Sequence, residues 1–300
     1  MQKRKKRETF TKKFNPLVAF FLFIYHSRMK QKTGTIYYSD ELNDEFAFDD
    51  IVPRKIGGEY AYVQDSPWKK FTRFFWYRLI AFPAAFFYLK ICYRHKIVNR
   101  GVIKKFSGGA FFLFGNHTHN ICDALIPTFV SFPKSVRVIV HANNISMPVL
   151  GAVTPSLGAI PLPDDRDSTR NFLNCIKIRV AQKEVLTIYP EAHIWPFYTK
   201  IRPFSAHSFR YPVQYGVPSF CFTNVYKKRR FSKNPRIVTY VDGPFFADEN
   251  LSASEKRENL RNKIFSAMTE RARLNEVELI KYVKISAEKN CNRPEKNVSN

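Results

Sequence analysis

Between residues 97 and 247 the chain alternates short apolar runs, rich in β-branched and aromatic residues, with longer runs of helical periodicity, and this alternation constrains the fold more than any other feature. Strands are expected at 110–114, 136–140, 159–162, 185–189, 219–223 and 237–241. Of the intervening helices the clearest begins at Ser168 and carries Phe172, Ile176 and Val180 four residues apart, on one face. Past Asp248 a last helix is announced by Ser252 and Glu255 at capping-box spacing and continues with Leu260, Ile264 and Met268 on one side. Strand and helix in turn imply an α/β domain with a largely buried sheet.

The flanks read differently. Residues 1–70 form a basic and polar region with a short apolar segment, 71–96 a membrane-associating helical segment, 97–247 the α/β domain, 248–287 the C-terminal helix and 288–300 a disordered tail. Within the first region, 1–14 is a basic tail and the run holding Phe20, Phe21, Phe23 and Tyr25 is a first membrane contact. No small-x-small cleavage site follows that run, and Arg28, Lys30 and Lys32 come next, so it is expected to stay uncleaved and cytosolic. The acid-rich stretch at 39–50 reads as a solvated linker without chemistry. The second apolar segment, 71–93, has an uncharged centre at 79–89. As a helix that centre reaches only ~16 Å against a hydrocarbon core of ~30 Å, too short to span comfortably. Lys69, Lys70, Arg73 and Arg78 precede it and Lys90, Arg94 and Lys96 follow, so a helix lying in or dipping into one leaflet fits, with an ordinary buried helix as the alternative.

Composition narrows the partners. A formal net charge of +24 predicts attraction to polyanions, whether nucleic acid or an anionic leaflet. The 29 Phe and 15 Tyr favour the lipid interface, and no nucleic-acid-binding motif is present. Five scattered cysteines without C-x-x-C spacing indicate neither a disulfide framework nor a zinc finger, and fit a reducing compartment.

The chemistry concentrates in FGNHTHNICDALIP, residues 114–127, where two histidines and an aspartate follow an apolar strand and precede a helix. Strand ends are where α/β folds place their sites. A histidine oriented by a carboxylate can take a proton from a hydroxyl at neutral pH, as attack on a thioester requires. The blander alternative is a helix start capped by Asp123 with incidental histidines. A second stretch, VLTIYPEAHIWPFYTKIRPF at 185–204, again runs from strand into polar loop and brings Glu191 and His193 just after Pro190. Two more stretches lie at 158–170 and 216–225.

In order and spacing, these four stretches resemble the glycerophospholipid acyltransferases, specifically the 1-acylglycerol-3-phosphate acyltransferases, over roughly 71–243. The family's N-H-x-x-x-x-D block is filled by Asn116, His117 and Asp123 with one extra residue between His and Asp. His119, four before Asp123, is therefore the other candidate base, and His117 is preferred because it follows the Gly-Asn that closes the strand. The F-P-E-G-T-R block is similar to Tyr189, Pro190, Glu191, Ala192, His193 and Ile194, which keeps the glutamate and lacks the glycine and arginine. Lys200 or Arg202 are alternative phosphate ligands, Arg166 matches the basic residue of the second block, and Val217-Pro218 match the fourth. The resemblance implies a mixed sheet flanked by helices, an N-terminal membrane-associating segment, and direct acyl transfer from acyl carrier protein or coenzyme A to a lysophospholipid. His117 and Asp123 are then catalytic, and Asn116, His119, Arg166, Glu191, His193, Lys200 and Arg202 bind substrate. No metal or organic cofactor is expected, and the implied location is the cytoplasmic face of the cell membrane, on anionic phospholipid.

Two rival readings remain. His117 and His119 form an H-x-H pair that Asp123, His141, Glu191 and His193 could complete as a metal-dependent hydrolase. Alternatively the charge itself is the function, in a basic membrane- or nucleic-acid-binding protein.

Overall fold

The computed structural model describes residues 34–46, 51–63, 66–106, 108–147, 151, 154–232 and 234–285. The basic tail at 1–14, the aromatic run at 20–25 and the tail at 288–300 lie outside the described residues. In chain order the strands are β1 (Gly34–Tyr38), β2 (Lys96–Val98), β3 (Phe111–Gly115), β4 (Val136–Val140), β5 (Ala159–Pro161), β6 (Val185–Ile188), β7 (Ser219–Lys227), β8 (Arg236–Phe245) and β9 (Ile280–Lys284). The helices are α1 (Pro67–Phe74), continued through a π-helical stretch (Phe75–Ala81) into α2 (Phe82–Tyr93), then α3 (Gly101–Lys105), α4 (Cys122–Ser131), α5 (Asn143–Ser146), α6 (Arg166–Ala181), α7 (Arg210–Tyr215) and α8 (Ala253–Ala272).

Seven strands form one sheet in the order β2-β8-β7-β3-β6-β4-β5, parallel throughout except for the β7–β8 pair. The chain is thus the expected α/β protein, a mixed, mainly parallel sheet flanked by helices. β3 sits centrally, and its sequence FFLFG is buried at every position. Successive side chains of a strand point to opposite faces. Phe111 and Leu113 accordingly join the layer formed with α2 and α4, whereas Phe112 and Phe114 join the layer formed with α6 and α8. Gly115 ends the strand, and a Cβ there would lie 2.2 Å from the Phe222 ring, so only glycine fits this close approach.

The two expected helix starts form. α8 has the Ser252–Glu255 capping box, and Leu260, Ile264 and Met268 are buried. α6 begins two residues ahead of expectation because Asp165 is its cap: the Asp165 carboxylate accepts the Ser168 N–H, which makes Ser168 the third helical residue.

Three features depart from expectation. The C-terminal region does not end as a helix, since β9 follows α8 and pairs in parallel with β1. The acid-rich stretch, in its described part, is mostly exposed as expected but is also docked at two points: Asp44 O accepts the Trp195 indole N–H at 2.7 Å and Glu41 O accepts the Arg202 guanidinium at 3.1 Å. Its Asp40 and Asp44 carboxylates are absorbed locally by the N–H groups of Ser39, Leu42 and Asn43. Finally, the apolar segment is longer than its uncharged centre. Residues Lys70–Tyr93 form one helix of 24 residues whose most apolar 18-residue window has mean hydropathy 1.2, long and apolar enough to cross a membrane by length and composition. The charges that bounded the expected core are accommodated: Arg78 donates to Pro133 O and lies 5.3 Å from the Phe132 ring, and Lys90 donates to His95 O at 2.9 Å.

Candidate active site

The loop 116–121 leaves the carboxyl end of β3 and is clamped from both sides. Asn116 exchanges two hydrogen bonds with the backbone of Asn224 on β7, donating to its carbonyl at 3.0 Å and accepting its N–H at 2.8 Å. From the β6 side, Glu191 accepts the His117 N–H at 2.8 Å, and the His117 and Thr118 carbonyls accept N–H groups of Trp195 and Phe197. Glu191 also accepts the Arg202 N–H at 2.9 Å, so one buried carboxylate ties two loops together. Burial pushes its pKa up, and Arg202 counters that push.

Within this frame His117 Nδ1 lies 2.9 Å from Asp123 Oδ2. Asp123 is buried and its remaining acceptor capacity is filled by the N–H groups of Thr118 and His119, both at 2.8 Å, and by the Asn224 amide at 3.3 Å. A carboxylate with that many donors is acceptor only, so Nδ1 carries the ring proton and Nε2 keeps its lone pair. The Tyr189 ring stacks on the imidazole with centroids 4.4 Å apart, and its hydroxyl donates to the Asp123 carbonyl. His117 therefore has a fixed ring plane and a fixed tautomer, and it lines the main cavity.

His119 is placed otherwise. Its Nδ1 accepts the N–H groups of Ile121 and Cys122, the first orphan donors of α4, and its Nε2 donates to the Tyr93 hydroxyl at 2.8 Å. Burial lowers its pKa to about 4, keeping it neutral. Both ring nitrogens are thus committed to structure, and the two histidines do not converge as an H-x-H pair. Among the described residues no group of three His, Cys, Asp or Glu side chains gathers as a metal site.

The cavity, about 680 Å³, lies outside the carboxyl ends of β3, β4 and β6. That size falls within the ~300–1,000 Å³ of small-molecule sites. Its apolar lining comes from Tyr77, Ala81, Phe82 and Ala85 of the long helix, Leu125 and Phe129 of α4, and Val136 and Val138 of β4. Its polar lining includes His141, His193, His207 and Arg210, and Glu45, whose carboxylate is 3.5 Å from His193 Nδ1.

Of the expected site residues, His117, Asp123 and His193 meet at the cavity, while Asn116, Glu191 and His119 support it from behind. Arg202 is buried, turns its donors onto the carbonyls of Glu41, Glu191 and His193, and lies 4.8 Å from the Trp195 ring, so it does not reach the cavity. Arg166 and Lys200 are exposed and do not line it either. Sequence reasoning placed Tyr189 in a matched block without a role, and missed Asn224, Glu45, His207 and Arg210. Only Asn224 carried a signal, as a polar residue within the apolar run SFCFTNV.

Fold and site together define an α/β protein with a carboxylate-oriented histidine at the carboxyl edge of its sheet, facing a cavity that is mainly apolar. No protein-family model matches the chain, and no curated protein matches its sequence. Among solved structures it is similar to the crystal structure of the 1-acyl-sn-glycerophosphate (LPA) acyltransferase PlsC from Thermotoga maritima, with TM-score 0.44 and 15% identity, covering 70% of this chain and 89% of that one.

Proposed function

We propose that the protein is an acyltransferase that moves a fatty acyl chain from a thioester of acyl carrier protein or coenzyme A to the free hydroxyl of a lysophospholipid, with 1-acylglycerol-3-phosphate as acceptor and phosphatidate as product. The observation that carries the reading is the His117–Asp123 pair, 2.9 Å apart, on the wall of one cavity that is lined both by apolar side chains and by imidazole and guanidinium groups. His117 Nε2 takes the acceptor's hydroxyl proton as the oxygen attacks the thioester carbonyl. Asp123 stabilises the resulting imidazolium without taking the proton. Collapse of the tetrahedral intermediate breaks the carbon–sulfur bond, and the imidazolium returns its proton to the departing thiolate. The apolar lining suits an acyl chain. His141, His207 and Arg210 give the cavity groups that suit a phosphate, in place of the arginine missing from the 189–194 block. The exposed apolar face of the long helix, with Trp68, Phe71 and Leu79, supports a place on the cytoplasmic membrane surface, where the acceptor is drawn sideways from the leaflet.

The test is transfer of labelled acyl chains to lysophosphatidate by detergent-purified protein. His117→Ala is expected to cost on the order of 100- to 10,000-fold in kcat. Asp123→Ala is expected to cost a comparable factor, while His119→Gln acts mainly on stability. A wild type inactive with both donors across several lysolipid acceptors, or a His117→Ala protein at full rate, would overturn the proposal.

A further inference from the structure

A second cavity, about 390 Å³, opens beside the long helix and shares only Phe82 and Phe129 with the first. Its floor is aromatic and aliphatic: Phe82, Phe86, Leu89, Ile97, Phe129 and Phe132. Its polar lining is Lys90, Lys96, Arg100 and His95, and it contains no acidic residue. His95 is buried with its pKa lowered to about 4, so the charge comes from the other three. We propose that this cavity binds one anionic phospholipid of the surrounding leaflet, its phosphate among Lys90, Lys96 and Arg100 and a chain along the phenyl floor.

Three observations carry the proposal. None of the three cations has a carboxylate partner among the described residues. Arg100 donates only to the carbonyls of Val130 and Phe132, Lys90 donates to the carbonyl of His95, and Lys96 is exposed without a side-chain hydrogen bond. Arg100 is half-buried, and burial lowers its pKa, as for a cation whose charge is incompletely compensated. The cavity also adjoins an exposed apolar surface of Phe86, Phe87, Ile91 and Phe132, which a bilayer would cover. Free phosphate would satisfy the cations and leave the phenyl floor wet. A zwitterionic lipid brings its own cation to a site that already holds three. An anionic amphiphile meets both demands, and the argument stands whether or not acyl transfer is the activity.

Native mass spectrometry of the detergent-purified protein, titrated with phosphatidylglycerol or phosphatidylcholine, tests it. The wild type should retain one phosphatidylglycerol in preference to phosphatidylcholine. Lys96→Glu should weaken that binding on the order of tenfold. Lys177→Glu, the same charge change at an exposed position on α6, which packs in the opposite layer of the sheet from α2 and α4, should leave it within about twofold. Lys96→Gln provides a milder variant should the reversal disturb folding, with a smaller loss in the same direction. Equal losses for the Lys96 and Lys177 variants, equal retention of phosphatidylcholine, or displacement of the lipid by inorganic phosphate alone would each overturn the proposal.

Discussion

At the scale of single residues, the site depends on which ring nitrogen is committed to what. His117 and His119 are chemically equal in the sequence, and their spacing to Asp123 leaves both open. The backbone decides between them: the N–H groups of Ile121 and Cys122 need an acceptor at the start of α4, and His119 Nδ1 is that acceptor. The same burial has a consequence for stability. His119 and His95 titrate near 6.5 in the unfolded chain and at about 4 in the folded one. Between those values the unfolded state binds more protons, so stability is full above about pH 6.5 and falls as the pH is lowered toward 4. Each histidine contributes on the order of 3 kcal/mol at full development. Urea midpoints should therefore drop between pH 7 and pH 5, and His95→Gln, which keeps a side-chain partner for Thr239, should shrink the drop. An unchanged drop in that variant would remove His95 from the account. A related expectation concerns Asn224, whose amide donates to Asp123 and whose oxygen accepts the Thr239 hydroxyl at 2.6 Å. Asn224→Ala leaves both partners under-satisfied in a buried setting, a cost of about 1–3 kcal/mol. Chemical denaturation measures that cost, and the acyl-transfer assay measures any loss of His117 orientation.

At the scale of elements, local pattern was legible and distant pairing was not. The six strands expected in the α/β region form, because runs such as FFLFG carry a buried side chain for both faces of the sheet. The capping residues of α8 were legible because their chemistry lies within four residues. β1 and β9 were not, since each is short and finds its partner at the other end of the chain. Glu191 was singled out as a ligand, yet its two hydrogen bonds to backbone N–H groups depend on loops that only the folded sheet brings together. The long helix was underestimated because Arg78 and Lys90 looked like ends, and the groups that receive them are supplied by other segments of the fold. Element packing yields a prediction at the junction of β3 and β7. Gly115→Ala forces the Phe222 ring to move and should cost roughly 1–3 kcal/mol, as overpacking of a dense core does. Phe222→Leu should recover part of that loss in the double variant, giving a favourable coupling in a double-mutant cycle of unfolding free energies. Additive losses would mean that the ring is not the obstacle.

At the scale of the whole molecule, the proposed function requires a basic α/β body to meet a bilayer. Only 17% of the long helix's most apolar window is buried inside the protein, which is not how a soluble core helix behaves. Trp68, Phe71, Phe75 and Leu79 recur three and four residues apart along it and are all exposed, forming one apolar stripe. The other wall of the same helix, Tyr77, Ala81, Phe82 and Ala85, lines the cavity of His117, so a single element separates the outer apolar face from that cavity. Membrane attachment and turnover should then be separable by substitution. Trp68→Ser/Phe71→Ser/Leu79→Ser removes apolar side chains that each contribute about 1.5–3 kcal/mol when fully buried, and should lower partitioning onto phosphatidylglycerol vesicles by at least tenfold in a sedimentation assay. None of the three lines the cavity, so transfer to a short-chain lysophosphatidate dispersed as monomers should proceed at the wild-type rate. Transfer to lysophosphatidate embedded in vesicles should fall with the bound fraction. Loss of both rates together would instead mean that the stripe holds the cavity wall in place, and full vesicle binding by the triple variant would move the membrane contact to another face of the molecule.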